Sequence, residues 1–140
     1  MTTVATRISV PTRSRAGGWV LVAAQAGFAA LYAICCYLAL ARAAELAGRW
    51  YLPSQDDPFT ADLDVTGAWP WAWVVAYVVS SALMVTVLSL FVSAIVFLSG
   101  YARGHRRLRM ALAGSTAATF LVLVVSLTPA AQLLAGWLLD

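Results

Sequence analysis

Residues 71–99 read WAWVVAYVVSSALMVTVLSLFVSAIVFLS, 29 positions without a charge, and the chain turns basic soon after, with ARGHRRLR over 102–109. A helix rises 1.5 Å per residue, so about 20 apolar residues cross a hydrocarbon core about 30 Å thick. The stretch is long enough to span, with enough excess to tilt or protrude. Two further apolar runs flank it, about 19–41 before and 110–139 after. Of the 140 residues, 62% are hydrophobic and 11% charged, whereas soluble domains carry about 25% charged residues. No remaining stretch reaches the ~50 residues that an independent soluble domain needs. The expected fold is all-α: a flexible basic tail over 1–18, then one three-helix integral membrane domain over 19–139.

The first span opens on Trp19, an aromatic suited to the membrane interface. Ala23, Ala26, Gly27, Ala30 and Ala33 recur three and four residues apart and share a helix face. Small residues let helix backbones approach in lipid, so this face is expected to be a seam against the other helices or a copy of the chain. Ala39-Leu40-Ala41 has the form of a signal-cleavage site, but the preceding apolar run is longer than the about 7–15 residues of a signal core. An uncleaved span is expected; cleavage would leave two. Beyond it, Arg42, Glu45 and Arg49 are spaced for ion pairs on a helix that continues past the interface until Pro53 ends it.

The 42–70 segment contains an acidic loop, PSQDDPFTADLDVTGA over 53–68. Its Asp62-Leu63-Asp64-Val65-Thr66-Gly67 begins like a calcium-binding loop, yet the twelfth position is Trp73 where a bidentate Glu is required. The same string superficially resembles the DxDxT nucleophile motif of haloacid-dehalogenase-type phosphotransferases. That family's α/β domain and catalytic lysine have no counterpart in this chain. A solvated, partner-facing loop is the reading that remains. The second span enters through Trp69, Pro70, Trp71, Trp73 and Tyr77, an interfacial belt. Along it, Ala82, Thr86, Ser89 and Ser93 form one small, faintly polar stripe.

A tight hairpin turn over 101–109 joins the second and third spans, with Gly104 to allow the reversal. Arg103, Arg106, Arg107 and Arg109 in it suit contact with anionic lipid headgroups. The third span carries small residues at Ala111, Gly114, Ser115 and Ala118. Pro129 predicts a kink, because it lacks an N–H and crowds the Val125 carbonyl; Ser126 and Thr128 are placed to satisfy what is freed.

Charge sets the orientation. The tail and the turn together hold Arg7, Arg13, Arg15, Arg103, Arg106, Arg107 and Arg109; the opposite face has Arg42 and Arg49 among five acids, with Asp140 at the end. The positive-inside rule therefore puts the N-terminus and the turn in the cytoplasm, and the 42–70 segment and C-terminus outside the plasma membrane.

Several chemistries are excluded. The nine basic residues are all arginine, so no lysine exists for a Schiff base or a P-loop. Cys35 and Cys36 are adjacent within a span, unsuited to a disulfide framework or a zinc set. His105 is the single histidine and cannot supply two axial haem ligands. The arginines flank helices and form no stripe for nucleic acid. No cofactor, metal or catalytic set is expected.

Gln25 and Gln132 are the polar amides within the spans, about 9 Å and 8 Å from their nearer interfaces by helical rise. They lie in opposite leaflets and cannot bond each other within one chain. Each needs a backbone group, a hydroxyl, a water or another chain, and they are assigned here as inter-chain polar contacts. The functional expectation is a small non-catalytic membrane protein, an accessory, assembly or regulatory subunit packing against another membrane protein or itself. Ala23, Ala26, Gly27, Ala30, Ala82, Thr86, Ser89, Ser93, Gly114 and Ala118 are its packing residues. The alternative is a homo-oligomeric channel or transport component, with the Ala82/Thr86/Ser89/Ser93 stripe lining its path.

Overall fold

The computed structural model describes residues 16–55, 57–60, 69–100 and 104–139. They form four helices: α1 Ala16–Ala47, α2 Ala72–Leu98, α3 Arg106–Ser126 and α4 Pro129–Leu139. α1, α2 and α3 are each long and apolar enough to cross a membrane, and no strand occurs among the described residues. Most of the tail, Asp56 and residues 61–68 of the acidic loop, Arg103 and Asp140 lie outside the described residues.

Helix boundaries follow local chemistry. α1 starts within the expected tail and runs past Ala41 to Ala47, then stops at Gly48, whose φ of 68° is left-handed. Glycine adopts that conformation without a Cβ penalty, so the helix ends at Ala47, six residues before Pro53. The Arg42–Glu45 pair forms at 3.3 Å. The expected Glu45–Arg49 pair does not appear, because Arg49 lies beyond the helix. Its guanidinium sits 4.6 Å from the centre of the Phe59 ring instead, a cation–π contact. α2 closes with the Ser99 N–H on the Ile95 carbonyl at 2.9 Å, and Gly100 turns the chain at φ 68°. Gly104, at φ 88°, precedes α3. Arg106–Arg109, read from sequence as turn, are the first turn of that helix.

The expected kink is a complete restart. α3 ends at Ser126 and α4 begins at Pro129. The Thr128 N–H and hydroxyl both donate to the Val125 carbonyl, at 3.0 and 2.6 Å. Thr128 Oγ1 in turn accepts the Ala131 N–H at 3.3 Å. Threonine thus caps α4 and proline takes its first position, where a missing N–H costs nothing.

α1, α2 and α3 pack against one another, with α4 against the far end of the bundle. Cys35, Ala39 and Ala43 of α1 meet Val75, Ala76, Val78 and Val79 of α2 and Leu134, Trp137 and Leu138 of α4. Tyr32, Ala82 and Val122 pack below them. The large outward side chains are apolar: Met84, Leu88, Phe91 and Leu98 on α2, Phe120 and Leu121 on α3. Trp19, Trp71, Trp73 and Tyr77 are also exposed near the helix ends. Such a surface suits lipid and would be a large apolar patch in water.

Candidate functional site

Gln25 projects into the bundle and is 3% exposed. Its Nε2 donates to Ser93 Oγ at 2.6 Å and Ser89 Oγ at 2.9 Å. Its Oε1 accepts from Ser115 Oγ at 2.7 Å. A primary amide has two N–H donors and one carbonyl acceptor, and all three are engaged. One side chain therefore ties α1 to α2 and to α3 at a single level. This corrects the assignment of Gln25 to inter-chain contact: its partners are hydroxyls of its own chain. Ser115 is the partner that sequence reading missed, because nothing in the spacing says which helix faces which.

The α2 stripe is the other half of this junction. Ala82 and Thr86 are fully buried and Ser93 nearly so. Thr86 Oγ1 donates to the Ala82 carbonyl at 2.7 Å, a bond back to its own helix that needs no water. On α3, Thr119 Oγ1 does the same to the Ser115 carbonyl at 2.9 Å. The stripe faces α1 and α3.

The small-residue face of α1 points the other way. Ala23, Ala26, Gly27 and Ala30 are exposed, and the inward face runs through Gly18, Gln25, Tyr32, Cys35, Ala39 and Ala43. A Cβ built on Gly27 would meet nothing within 4 Å, and the same holds for Gly114, which is also exposed. Ala118 is half-buried. Of the expected seam within this chain, the α2 residues belong to it, and the α1 alanines and Gly114 do not.

Gln132 lies on α4 with an exposed side chain. It borders a cavity of about 190 Å³ with Tyr32, Val79, Ser80, Leu83 and Ser126. On its other side it borders a second recess with Pro129, Leu133, Gly136 and Gln55. Neighbouring hydroxyls are bonded to their own helices: Ser80 Oγ to the Ala76 carbonyl at 2.7 Å, Ser126 Oγ to the Leu123 carbonyl at 2.8 Å. Among the described residues the Gln132 amide makes no side-chain hydrogen bond.

Two surface clusters complete the picture. Arg106, Arg107 and Arg109 are exposed, and the first two border a recess of about 320 Å³ with Trp19, Gly104, His105 and Leu108. At the opposite end, residues 49–55 and 57–60 meet α4 through Gln55, beside Gly136, and Thr60. Trp137 Nε1 donates to Thr60 Oγ1 at 3.0 Å. Asp57, expected in a solvated loop, is 5% exposed. Its carboxylate accepts the Phe59 N–H at 2.9 Å and its carbonyl the Thr60 N–H at 3.0 Å, forming an Asx-stabilised turn. The Tyr51 ring meets Phe59 edge-on at 5.9 Å and its hydroxyl oxygen is sealed from solvent. Burial, with the Asp57 carboxylate nearby, pushes the Tyr51 phenol above its ordinary pKa of 10.0.

Compared with known proteins, the chain matches no family model, no curated protein and no solved structure.

Proposed function

We propose that this chain is a small, non-catalytic integral membrane protein of the plasma membrane that serves as an accessory, assembly or regulatory subunit. It acts by packing its outward helix faces against another membrane protein or a copy of itself. The observation that carries this reading is a division of labour between the two amides. Gln25 is occupied in holding α1, α2 and α3 together, while Gln132 is presented outward. The exposed Ala23/Ala26/Gly27/Ala30 face supports it, since small outward residues let a neighbouring helix approach.

In this reading the N-terminus and the arginine turn face the cytoplasm, by the distribution of arginines along the sequence. The alternative, a transport path lined by Ala82, Thr86, Ser89 and Ser93, requires the α1–α2–α3 seam to open and the Gln25 bonds to be replaced by water. Purification in native lipid followed by native mass spectrometry tests the proposal. The expected result is a stoichiometric second subunit, identical or foreign. A bare monomer across protein-to-lipid ratios would overturn it.

A further inference from the structure

We infer that the recess between the starts of α1 and α3 binds the headgroup phosphate of one anionic lipid, clamped by Arg106 and Arg107 beside Trp19. The inference stands apart from the subunit reading and needs only that the helices span a membrane. The recess, about 320 Å³, is walled by Trp19 of α1 and by His105, Arg106, Arg107 and Leu108 at the start of α3. Charge at this end has no answer within the chain. Arg106 and Arg107 are exposed and, among the described residues, pair with no carboxylate. The acids of the sequence are Glu45, four aspartates between 56 and 64, and Asp140. Glu45 pairs with Arg42 and lies about 39 Å along α1 from Trp19 by helical rise. Asp57 is buried in its own turn at the other end.

The backbone adds donors of the same sense. No side chain caps α3, and His105 turns its Nδ1 to the Gly104 carbonyl at 2.8 Å. The Arg109 N–H makes the first bond of the helix, to the His105 carbonyl at 3.0 Å. The N–H groups of Arg106, Arg107 and Leu108 are thereby left without a helical acceptor. A phosphate diester supplies what is missing, since its oxygens accept bidentate bonds from guanidinium and a single charge offsets the arginines. The rest of the wall selects lipid over a soluble anion. Trp19 and Leu108 are apolar surface suited to the glycerol and first methylenes of a lipid, and not to a hydrated inorganic phosphate. Both belong to the ends of helices apolar enough to cross a membrane, so the recess lies at the depth where tryptophan and headgroups meet. Arg109 is exposed on the same helix turn but does not line the recess, which makes it a built-in control.

Native mass spectrometry of the full chain tests this, from phosphatidylcholine nanodiscs holding a minor share of phosphatidylglycerol. One phosphatidylglycerol is expected to stay with each chain. Arg106→Gln and Arg107→Gln are each expected to lower its retention about fivefold, the factor that one arginine contributes near an anionic surface. Arg106→Lys and Arg107→Lys keep the charge without the bidentate fork and are expected to fall between. Arg109→Gln removes the same charge outside the recess and is expected to match wild type. Equal losses at 106, 107 and 109 would reduce the effect to diffuse surface attraction and overturn the inference. So would release of the lipid by millimolar inorganic phosphate, which would assign the recess to a soluble anion. Circular dichroism is expected to show unchanged helix content in every variant. Lipid lost together with helix content, in the Gln and Lys variants alike, would make the arginines structural and overturn the inference too. Subunit stoichiometry in the same spectra tests the subunit reading separately.

Discussion

The amide nitrogen of Gln25 lies 2.6 Å from the hydroxyl oxygen of Ser93, two buried groups from helices 68 positions apart in the chain. The same amide reaches Ser89 and receives the Ser115 hydroxyl, so one residue registers three helices. Apolar contacts alone would let helices slide along one another in lipid, where no hydrophobic force drives them together. Directional bonds at one level fix their relative height.

Replacing Gln25 with Leu is expected to destabilise the bundle by about 1–3 kcal/mol, since interhelical hydrogen bonds in membranes are each worth about 0.6–2 kcal/mol. The abandoned serines can bond back to their own helices, which keeps the loss at that scale. A double-mutant cycle of Gln25→Leu with Ser115→Ala, read by reversible unfolding in detergent or bicelles, should give a coupling of about 0.6 kcal/mol or more. Additive effects would mean that the bond is not formed.

The run at 71–99 revealed its helix because uninterrupted hydrophobicity over that length has one low-energy answer in lipid. At Pro129 a kink was legible, since proline acts on its own backbone and the preceding turn. The full restart was not, because it also depends on Thr128 turning its hydroxyl to cap the new helix. Which face of α1 turns inward was not. Ala23, Ala26, Gly27 and Ala30 have a seam's spacing, yet the inward face carries Gln25, Tyr32 and Cys35. Small size permits close packing without specifying the partner, and the Ser89, Ser93 and Ser115 hydroxyls that draw Gln25 inward are distant in sequence. Arg49 was misplaced for a simpler reason: Gly48 ended the helix before the i,i+4 geometry could be completed.

At the opposite end, Trp137→Phe keeps the ring and removes the N–H that donates to Thr60. A loss of about 0.5–1.5 kcal/mol is expected, with faster amide exchange across the 49–60 segment read by mass spectrometry. Thr60→Val should give a similar loss, and the two together little more than either. Unchanged exchange in both would detach the segment from α4.

Gly48 and Gly104 adopt φ values of 68° and 88°. Substituting Ala at Gly48 should cost about 1–2 kcal/mol through left-handed strain, although a Cβ there meets nothing within 4 Å. An unfolding midpoint equal to wild type would indicate that the turn relaxes to another conformation.

Tyr51 supplies a pH signature. Its phenol is held neutral by burial and by Asp57, against the nearby Arg49 charge, so its folded pKa lies above the unfolded value of 10.0. The sign follows: this stabilisation is complete below about pH 10 and is lost as pH rises through the folded pKa. Protection of the 49–60 segment should fall in that alkaline window, and Tyr51→Phe should remove the fall. The same profile in the variant would assign the transition to another group.

The most direct measurement compares wild type, Gln25→Leu and Gln132→Leu side by side in native-lipid nanodiscs, reading subunit stoichiometry and thermal stability of each. The expected result is a crossed pattern: Gln25→Leu melts earlier with stoichiometry intact, while Gln132→Leu releases its neighbour and each freed chain stays folded. The reverse pattern, with Gln25→Leu dissociating and Gln132→Leu unchanged, would contradict the division between an inward amide that builds the bundle and an outward one that joins it to another.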